Sequence, residues 1–286
     1  MKKMLLPTEF SPYCKAILEH LPELSRIGVE EIGLLHVINL TRVSGVSGGI
    51  DIENYIESET KVAEEEIPKM VEVIEKHGIK ANAILPPPVG DPVAEILRYS
   101  EDYDFIAMAS RGGSLLKEIL LGSVTEGVVK NSKIPVYVFK FKVKKKDKDI
   151  VECSKYYPDL FERILVAYDF SNHSDEALEY AKYIAKKSES KIYILHVEEP
   201  EYEKHDVEKV VEEISAEKIN VEAITASGSP AKVILRTADK IGATTIFMGS
   251  RGRGTIETIL LGSTSDVVVR RSNVPVFICR ATKDED

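Results

Sequence analysis

Glutamine does not occur in this sequence, cysteine occurs only three times, and no apolar run approaches the length that spans a bilayer. Each absence narrows the class. Cys14, Cys153 and Cys279 have no metal-ligand spacing and no evident pairing, which argues against a zinc ribbon or a disulfide scaffold and suits a reducing compartment. The N-terminal Met1-Lys2-Lys3-Met4-Leu5-Leu6-Pro7 has the charge of a signal peptide, but its apolar run is far too short and Glu9 follows at once. A cytoplasmic protein without a membrane partner is expected. Basic charge is also scarce: 38 Lys and Arg against 47 Asp and Glu leave a net charge of −9, the wrong sign for a dedicated nucleic-acid binder. Missing glutamine with heavy use of Lys and Glu points to a thermophile source. What remains is a globular composition, 43% hydrophobic and 30% charged, over 286 residues, enough for two domains with full cores.

One stretch occurs twice. Gly249-Ser250-Arg251-Gly252 is followed after nine residues by Gly262-Ser263, and Ala109-Ser110-Arg111-Gly112 after nine residues by Gly122-Ser123, an offset of 140. Each copy follows a short apolar strand, 104–108 or 243–248, and precedes a helical pattern. The flanks match too, as in Lys117-Glu118-Ile119-Leu120-Leu121 and Glu257-Thr258-Ile259-Leu260-Leu261. A strand, a glycine-bounded loop and a helix start can hold a phosphate, because glycine lets backbone approach closely and helix N-termini present unpaired N–H groups. Ser123 and Ser263 read as helix caps, in Ser123-x-x-Glu126 and Ser263-x-x-Asp266. Repetition at this spacing makes the chain a tandem repeat of two domain-sized halves.

The pattern Gly-x2-Gly-x9-Gly-Ser, with its strand before and helix after, resembles the nucleotide-binding branch of the universal stress protein family, twice over nearly the whole chain. The second copy carries it in full; the first has Ala109 in place of the first glycine. Domains are expected at 1–141 and 162–286, with a solvated, lysine-rich linker over 142–161. The resemblance implies two five-stranded, doubly wound parallel sheets of strand order 3-2-1-4-5 with helices on both faces, the fold of the adenine nucleotide alpha hydrolases. It also implies that the fifth strands pair, here within one chain as a pseudo-dimer with Tyr137, Phe139 and Phe277 near the seam, and it is compatible with a further homodimer.

The residues carry the same alternation of strand and helix. In the first half strands fall at 3–7, 32–37, 80–85, 104–108 and 134–139, with helices at 13–27, 53–77 and 93–103 and one following Ser123. In the second, strands fall at 163–167, 191–197, 220–225, 243–248 and 274–279, with helices at 174–187, 206–217, 231–241 and 266–271. Such alternation makes a parallel sheet covered on both faces, with ligands at the carboxyl ends of the strands where their order reverses. Strand one ends at Glu9-Phe10-Ser11 in one half and Asp169-Phe170-Ser171 in the other. Ser11 and Ser171 read as helix caps, and each acid either favours the helix start or faces the crevice. His36 and His196 are exact counterparts at the end of strand two; without a companion acid, Cys or His they read as structural.

The resemblance implies an adenine nucleotide, ATP or AMP, in each half. The base would lie against Asp169 and Val197, the ribose near Gly249, and the phosphates over Arg251-Gly252 and Gly262-Ser263-Thr264-Ser265. The first half would use Glu9, Val37, Ala109, Arg111, Gly112, Gly122, Ser123 and Thr125. Strand-end residues Pro7, Thr8, Met108, Ala167, Tyr168 and Met248, with Val124 on the helix, complete the candidate set. Magnesium would enter with ATP, met by Asp169 through water. No catalytic residues and no metal ligands of the chain itself are named. The second half, with its complete motif, is expected to bind more tightly.

Other chemistries fit less well. Gly122-x4-Gly127 is followed by Val128 rather than Lys, so there is no Walker loop, and there is no Gly-x-Gly-x-x-Gly. Ser47-Gly48-Gly49-Ile50-Asp51 is close to a pyrophosphatase loop, but Ile52 stands where Ser is needed and the segment follows strand two rather than strand one. The long loop Asn39–Asn54 reads as a lid. The expected role is nucleotide binding in stress response or signalling. The alternatives are a nucleotide-stabilised scaffold that a partner reads, or a slow ATPase.

Overall fold

The computed structural model describes residues 1–42, 51–110, 121–145, 151–155, 157–198, 206–252 and 261–281. The first half runs β1 (Lys3–Pro7), α1 (Pro12–Ile17), α2 (Leu21–Arg26), β2 (Glu31–Leu35), β3 (Ile38–Asn39), α3 (Ile52–Glu75), β4 (Lys80–Ala83), β5 (Val89–Gly90), α4 (Pro92–Ser100), β6 (Phe105–Ala109), α5 (Ser123–Asn131) and β7 (Val136–Phe139). A hairpin, β8 (Lys142–Lys145) and β9 (Val151–Ser154), connects the halves. The second half runs β10 (Arg163–Ala167), α6 (Asn172–Ser188), β11 (Lys191–Glu198), α7 (Val207–Ala216), β12 (Asn220–Ser227), α8 (Pro230–Ile241), β13 (Thr245–Gly249), α9 (Ser263–Arg271) and β14 (Val276–Cys279).

The strands of each half lie in the order 3-2-1-4-5: β4-β2-β1-β6-β7 and β12-β11-β10-β13-β14, all parallel. This is the doubly wound arrangement expected. β7 and β14 pair antiparallel with Phe277 opposite Tyr137, so one ten-stranded sheet runs through both halves. Successive strand side chains alternate faces, and Met4 and Leu6 belong to one core while Leu5 belongs to the other. The first core is roofed by α1, α2, α3, α6 and α7, the second by α4, α5, α8 and α9.

Three local expectations are corrected. Helix one of the first half is two short helices joined by a 3-10 turn at Leu18–His20, with Pro22 at the start of α2. A proline is tolerated there because a first-turn N–H has no helical partner to lose. Ser123 and Ser263 are first helical residues rather than caps; Gly122 and Gly262, with extended ψ of 142° and 152°, hold the cap positions. The connector is not simply solvated either. Leu160 and Phe161 are buried, as is Phe141 just before the connector, Arg26 forms a two-oxygen hydrogen bond to Asp159 at 2.7 Å, and Lys155 reaches Glu23 at 2.9 Å.

Glu23 makes that docking sensitive to pH. Its side chain is only 6% exposed. Burial alone would raise its carboxyl, but hydrogen bonds from His20 and Lys155 outweigh it and hold the group down at about 2. A carboxyl depressed on folding contributes stability that is complete above its ordinary value of 4.5 and is lost as pH falls through about 2. Burial depresses His20 as well, so charging its ring below the ordinary 6.5 destabilises in the same direction. Glu23→Gln is expected to flatten the acid limb of stability by about 3 kcal/mol. Urea midpoints compared across acid pH check this; an unchanged limb would show that other carboxylates set it.

Between the halves, two cations 140 residues apart act reciprocally. Lys140 Nζ donates to the Val269 carbonyl at 2.7 Å, in the last turn of α9. Arg280 Nη2 donates to the Val129 and Lys130 carbonyls, in the last turn of α5. Cations at helix C-termini satisfy orphan carbonyls and complement the dipole.

Candidate functional site

The end of strand one takes the same shape in both halves. Phe10 and Phe170 stand at φ 60° and 61°, a left-handed conformation that costs a side-chain-bearing residue roughly 1–2 kcal/mol. The two histidines hold these turns. His36 Nδ1 donates to the Thr8 carbonyl at 2.9 Å and its ring stacks on Phe10 at 4.6 Å. His196 Nδ1 donates to the Tyr168 carbonyl at 2.9 Å and meets Phe170 edge-on at 5.1 Å. The structural reading of both histidines therefore has a concrete form. Ser11 caps α1, and Ser171 caps α6 in a box with Ser174.

The two glycine loops are anchored identically. Gly122 N donates to the Ser110 carbonyl at 2.9 Å, and Gly262 N to that of Ser250 at 2.8 Å. The hydroxyls of Thr125 and Ser265 turn back to the Ala109 and Gly249 carbonyls at 2.9 and 2.8 Å. Among the described residues no side chain caps either helix. First-turn N–H groups of α5 and α9 are thus left to be met by solvent or an anion. Ser123 and Ser263 are exposed beside them.

In the first half Pro7, Thr8, Glu9, Val37, Met108, Ala109, Gly122, Ser123, Val124 and Thr125 all line one cavity of about 700 Å³. It opens at the carboxyl ends of β1, β2 and β6, where the strand order reverses. Arg111 and Gly112 lie outside the described residues, as does the middle of the Asn39–Asn54 segment read as a lid, residues 43–50. The cavity also takes in residues the motifs did not single out: Cys14, His36 and Asn39, Tyr55, Glu59 and Val62 from α3, and Pro92 and Ile96 from α4. α3 follows the segment in which the halves diverge most, so its lining residues belong to no repeated pattern. The gap between acid and helical positions at Tyr55, Glu59 and Val62, one helical face, was the available signal.

In the second half Asp169 and Gly252 come together. A Cβ built on Gly252 would stand 2.6 Å from Asp169 Oδ2. Asp169 Oδ1 accepts from the Ser171 N–H at 3.2 Å and hydroxyl at 2.6 Å. Ala167 pairs with Met248 across β10 and β13, which puts Tyr168 and Gly249 at adjoining strand ends. Val197 lies in β11, while Thr264 and Ser265 fall in the first turn of α9. Packing within the protein itself favours glycine at 249, since a Cβ there would meet His173 Cβ at 2.7 Å. His173 in turn accepts from Ala281 N–H at 2.8 Å. The completeness of the second motif is therefore not by itself a measure of ligand room. Arg251 is half-buried and its Nε has no hydrogen-bond partner among the described residues.

These features define a tandem α/β protein with an anion-ready helix start at the switch point of each half. The universal stress protein family pattern matches residues 1–140 and 160–280. The chain belongs to the universal stress protein family. A crystal structure of a universal stress protein from Archaeoglobus fulgidus matches with 49% identity and a TM-score of 0.81 over 99% of this chain and 97% of that one. The universal stress protein MJ0577 of Methanocaldococcus jannaschii is 37% identical over 157 residues, 49% of this chain and 96% of its own. The universal stress protein YxiE of Bacillus subtilis is 33% identical over 148 residues, 42% of this chain and all of its own. Among the described residues no helix is long and apolar enough to cross a membrane, and no group of three or more His, Cys, Asp or Glu could hold a metal.

Proposed function

We propose that the protein binds an adenine nucleotide, ATP or AMP, in each half and serves in stress response or signalling. The observation that supports this most is the first-half cavity of about 700 Å³, which joins a strand-one acid, Glu9, to the uncapped start of α5. The volume suits a nucleotide, since ligand cavities commonly run about 300–1,000 Å³. Phosphates would meet the amides of Gly122–Thr125, and Glu9 would accept from ribose hydroxyls. In the second half Asp169, Gly252 and the start of α9 would act in the same roles. Magnesium arriving with ATP would have the Asp169 carboxylate within its reach. We read 1–141 and 162–286 as the two domains and the pair as an internal pseudo-dimer, a reading that the β7–β14 pairing supports.

Denaturing freshly purified protein and identifying the released nucleotide by mass, with its ratio to chain, tests the proposal. Near two adenine nucleotides per chain are expected. A ratio near one would confine binding to one half. None released, with no binding of added ATP or AMP, would remove the nucleotide reading and favour a scaffold.

A further inference from the structure

The first-half cavity has a feature that nucleotide binding in general does not require. His36 is buried, 6% exposed, yet its Nε2 has no hydrogen-bond partner among the described residues, and the residue lines the cavity. Its tautomer follows from the other nitrogen. Nδ1 donates to the Thr8 carbonyl, so in the neutral ring Nε2 carries a lone pair and can only accept. Glu59 Oε2 stands 3.9 Å from that nitrogen, too far for a hydrogen bond between them but close enough for one donor to serve both. Both groups are acceptors; His36 Nε2 is buried, where an unmet acceptor is costly, while the Glu59 side chain is 35% exposed. Glu9 adds a second carboxylate, and no lysine or arginine is among the described lining residues. Tyr55 and Phe10 supply ring surface to the same part of the wall.

The cavity is therefore polarised. His36 and Glu59 lie on the β2 side of β1, and the amides of α5 follow β6 on the other side. Two strand spacings separate these sides by about 10 Å, comparable with the span of a nucleoside from base edge to 5′-phosphate. An anionic group belongs at the α5 end, and a group giving two hydrogens belongs between His36 and Glu59.

We propose that His36 Nε2 and Glu59 are base-selecting residues that receive the exocyclic amine of a 6-aminopurine and reject 6-oxopurines; this rests on the nucleotide reading above. An adenine amine offers one N–H to each acceptor. A hypoxanthine or guanine base would place a carbonyl oxygen against a lone pair and a carboxylate. A site built to bond a donor discriminates strongly against the analogue lacking it, because its own polar groups are left unpaired.

The test is isothermal titration of ATP and ITP into the full chain carrying Gly252→Val. That change runs a side chain into Asp169 and lets the first half report alone. ATP is expected to bind at least about tenfold more tightly than ITP, the range of a hydrogen bond to a charged group. Adding Glu59→Gln, whose amide can donate to a 6-oxo group, is expected to bring that ratio down toward one. Equal binding of ATP and ITP, or a preference that Glu59→Gln leaves unchanged, would overturn base selection while the nucleotide site stands. Binding of neither nucleotide would overturn both readings.

Discussion

Replacing Tyr137 with alanine is expected to cost about 3–5 kcal/mol of unfolding free energy, the range for truncating a fully buried aromatic. Tyr137 is 1% exposed at the centre of the seam between the halves. Its ring lies 4.4 Å from Phe139, 5.4 Å from Phe277 and 6.3 Å from Phe161, and Phe277 stacks on Phe247 at 4.7 Å. Its hydroxyl is 3.1 Å from Thr245 Oγ1, which itself donates to the Pro275 carbonyl. The void would therefore open in a cluster drawn from both halves and the connector. Phenylalanine keeps the ring and loses only the hydroxyl, and is expected to cost about 1 kcal/mol. Calorimetry checks both variants. If the seam couples the halves, the alanine variant should melt lower and split toward two transitions. A single transition at the original temperature would show that the ten-stranded sheet contributes little to cooperativity.

The seam also shows how far the sequence could be read. Strand five in each half was legible from Val136-Tyr137-Val138-Phe139 and Val276-Phe277-Ile278-Cys279, apolar runs after Pro. Short runs buried on both faces carry that signal because parallel strands have no wet side. The docked connector was not legible. Its anchors are Lys155 to Glu23, Asp159 to Arg26, and the isolated apolar residues Phe141, Leu160 and Phe161, and none of these makes a period. Contacts across more than 130 residues leave no local pattern. Helix starts were legible to within three residues, but at α5 and α9 the capping role was assigned to serine where glycine holds it. Ser123-x-x-Glu126 satisfies the sequence form of a capping box, whereas Glu126 is drawn instead to Lys130 and Arg270.

The candidate site was legible where it repeats and illegible where it does not. Every described first-half residue of the candidate set lines the cavity, since the strand-loop-helix geometry brings them to one crevice. Gly249 has a packing reason as well, which a sequence cannot show, because His173 fills the space beside it. Tyr55, Glu59 and Val62 arrive from α3 through tertiary packing alone. His36 read as structural for want of a companion acid in the sequence; its Nδ1 bond to the Thr8 carbonyl fits that reading, but Glu59, brought in by tertiary packing, stands 3.9 Å from its second nitrogen.

A single carboxylate at the start of α5 would separate helix stability from anion binding. Ser123→Asp places a negative charge at the first helical residue, which favours the helix dipole and is expected to leave the fold unchanged or slightly more stable, by about 0.3–1 kcal/mol. The same charge would stand where a phosphate is proposed to lie. Two unit charges about 5 Å apart at an effective dielectric near 20 repel by roughly 3 kcal/mol, on the order of a hundredfold in affinity. Ser263→Asp is the equivalent change at α9. Each variant alone is expected to lower nucleotide stoichiometry from two per chain to one, and both together to abolish binding, with the nucleotide-free proteins melting at the parent's temperature or slightly above it. Repulsion of this kind weakens with salt only where solvent enters, so titrations at two ionic strengths show how far each site excludes water. If Ser123→Asp binds ATP as the parent does, the anion does not sit at this helix, and the uncapped α5 amides are met by solvent alone.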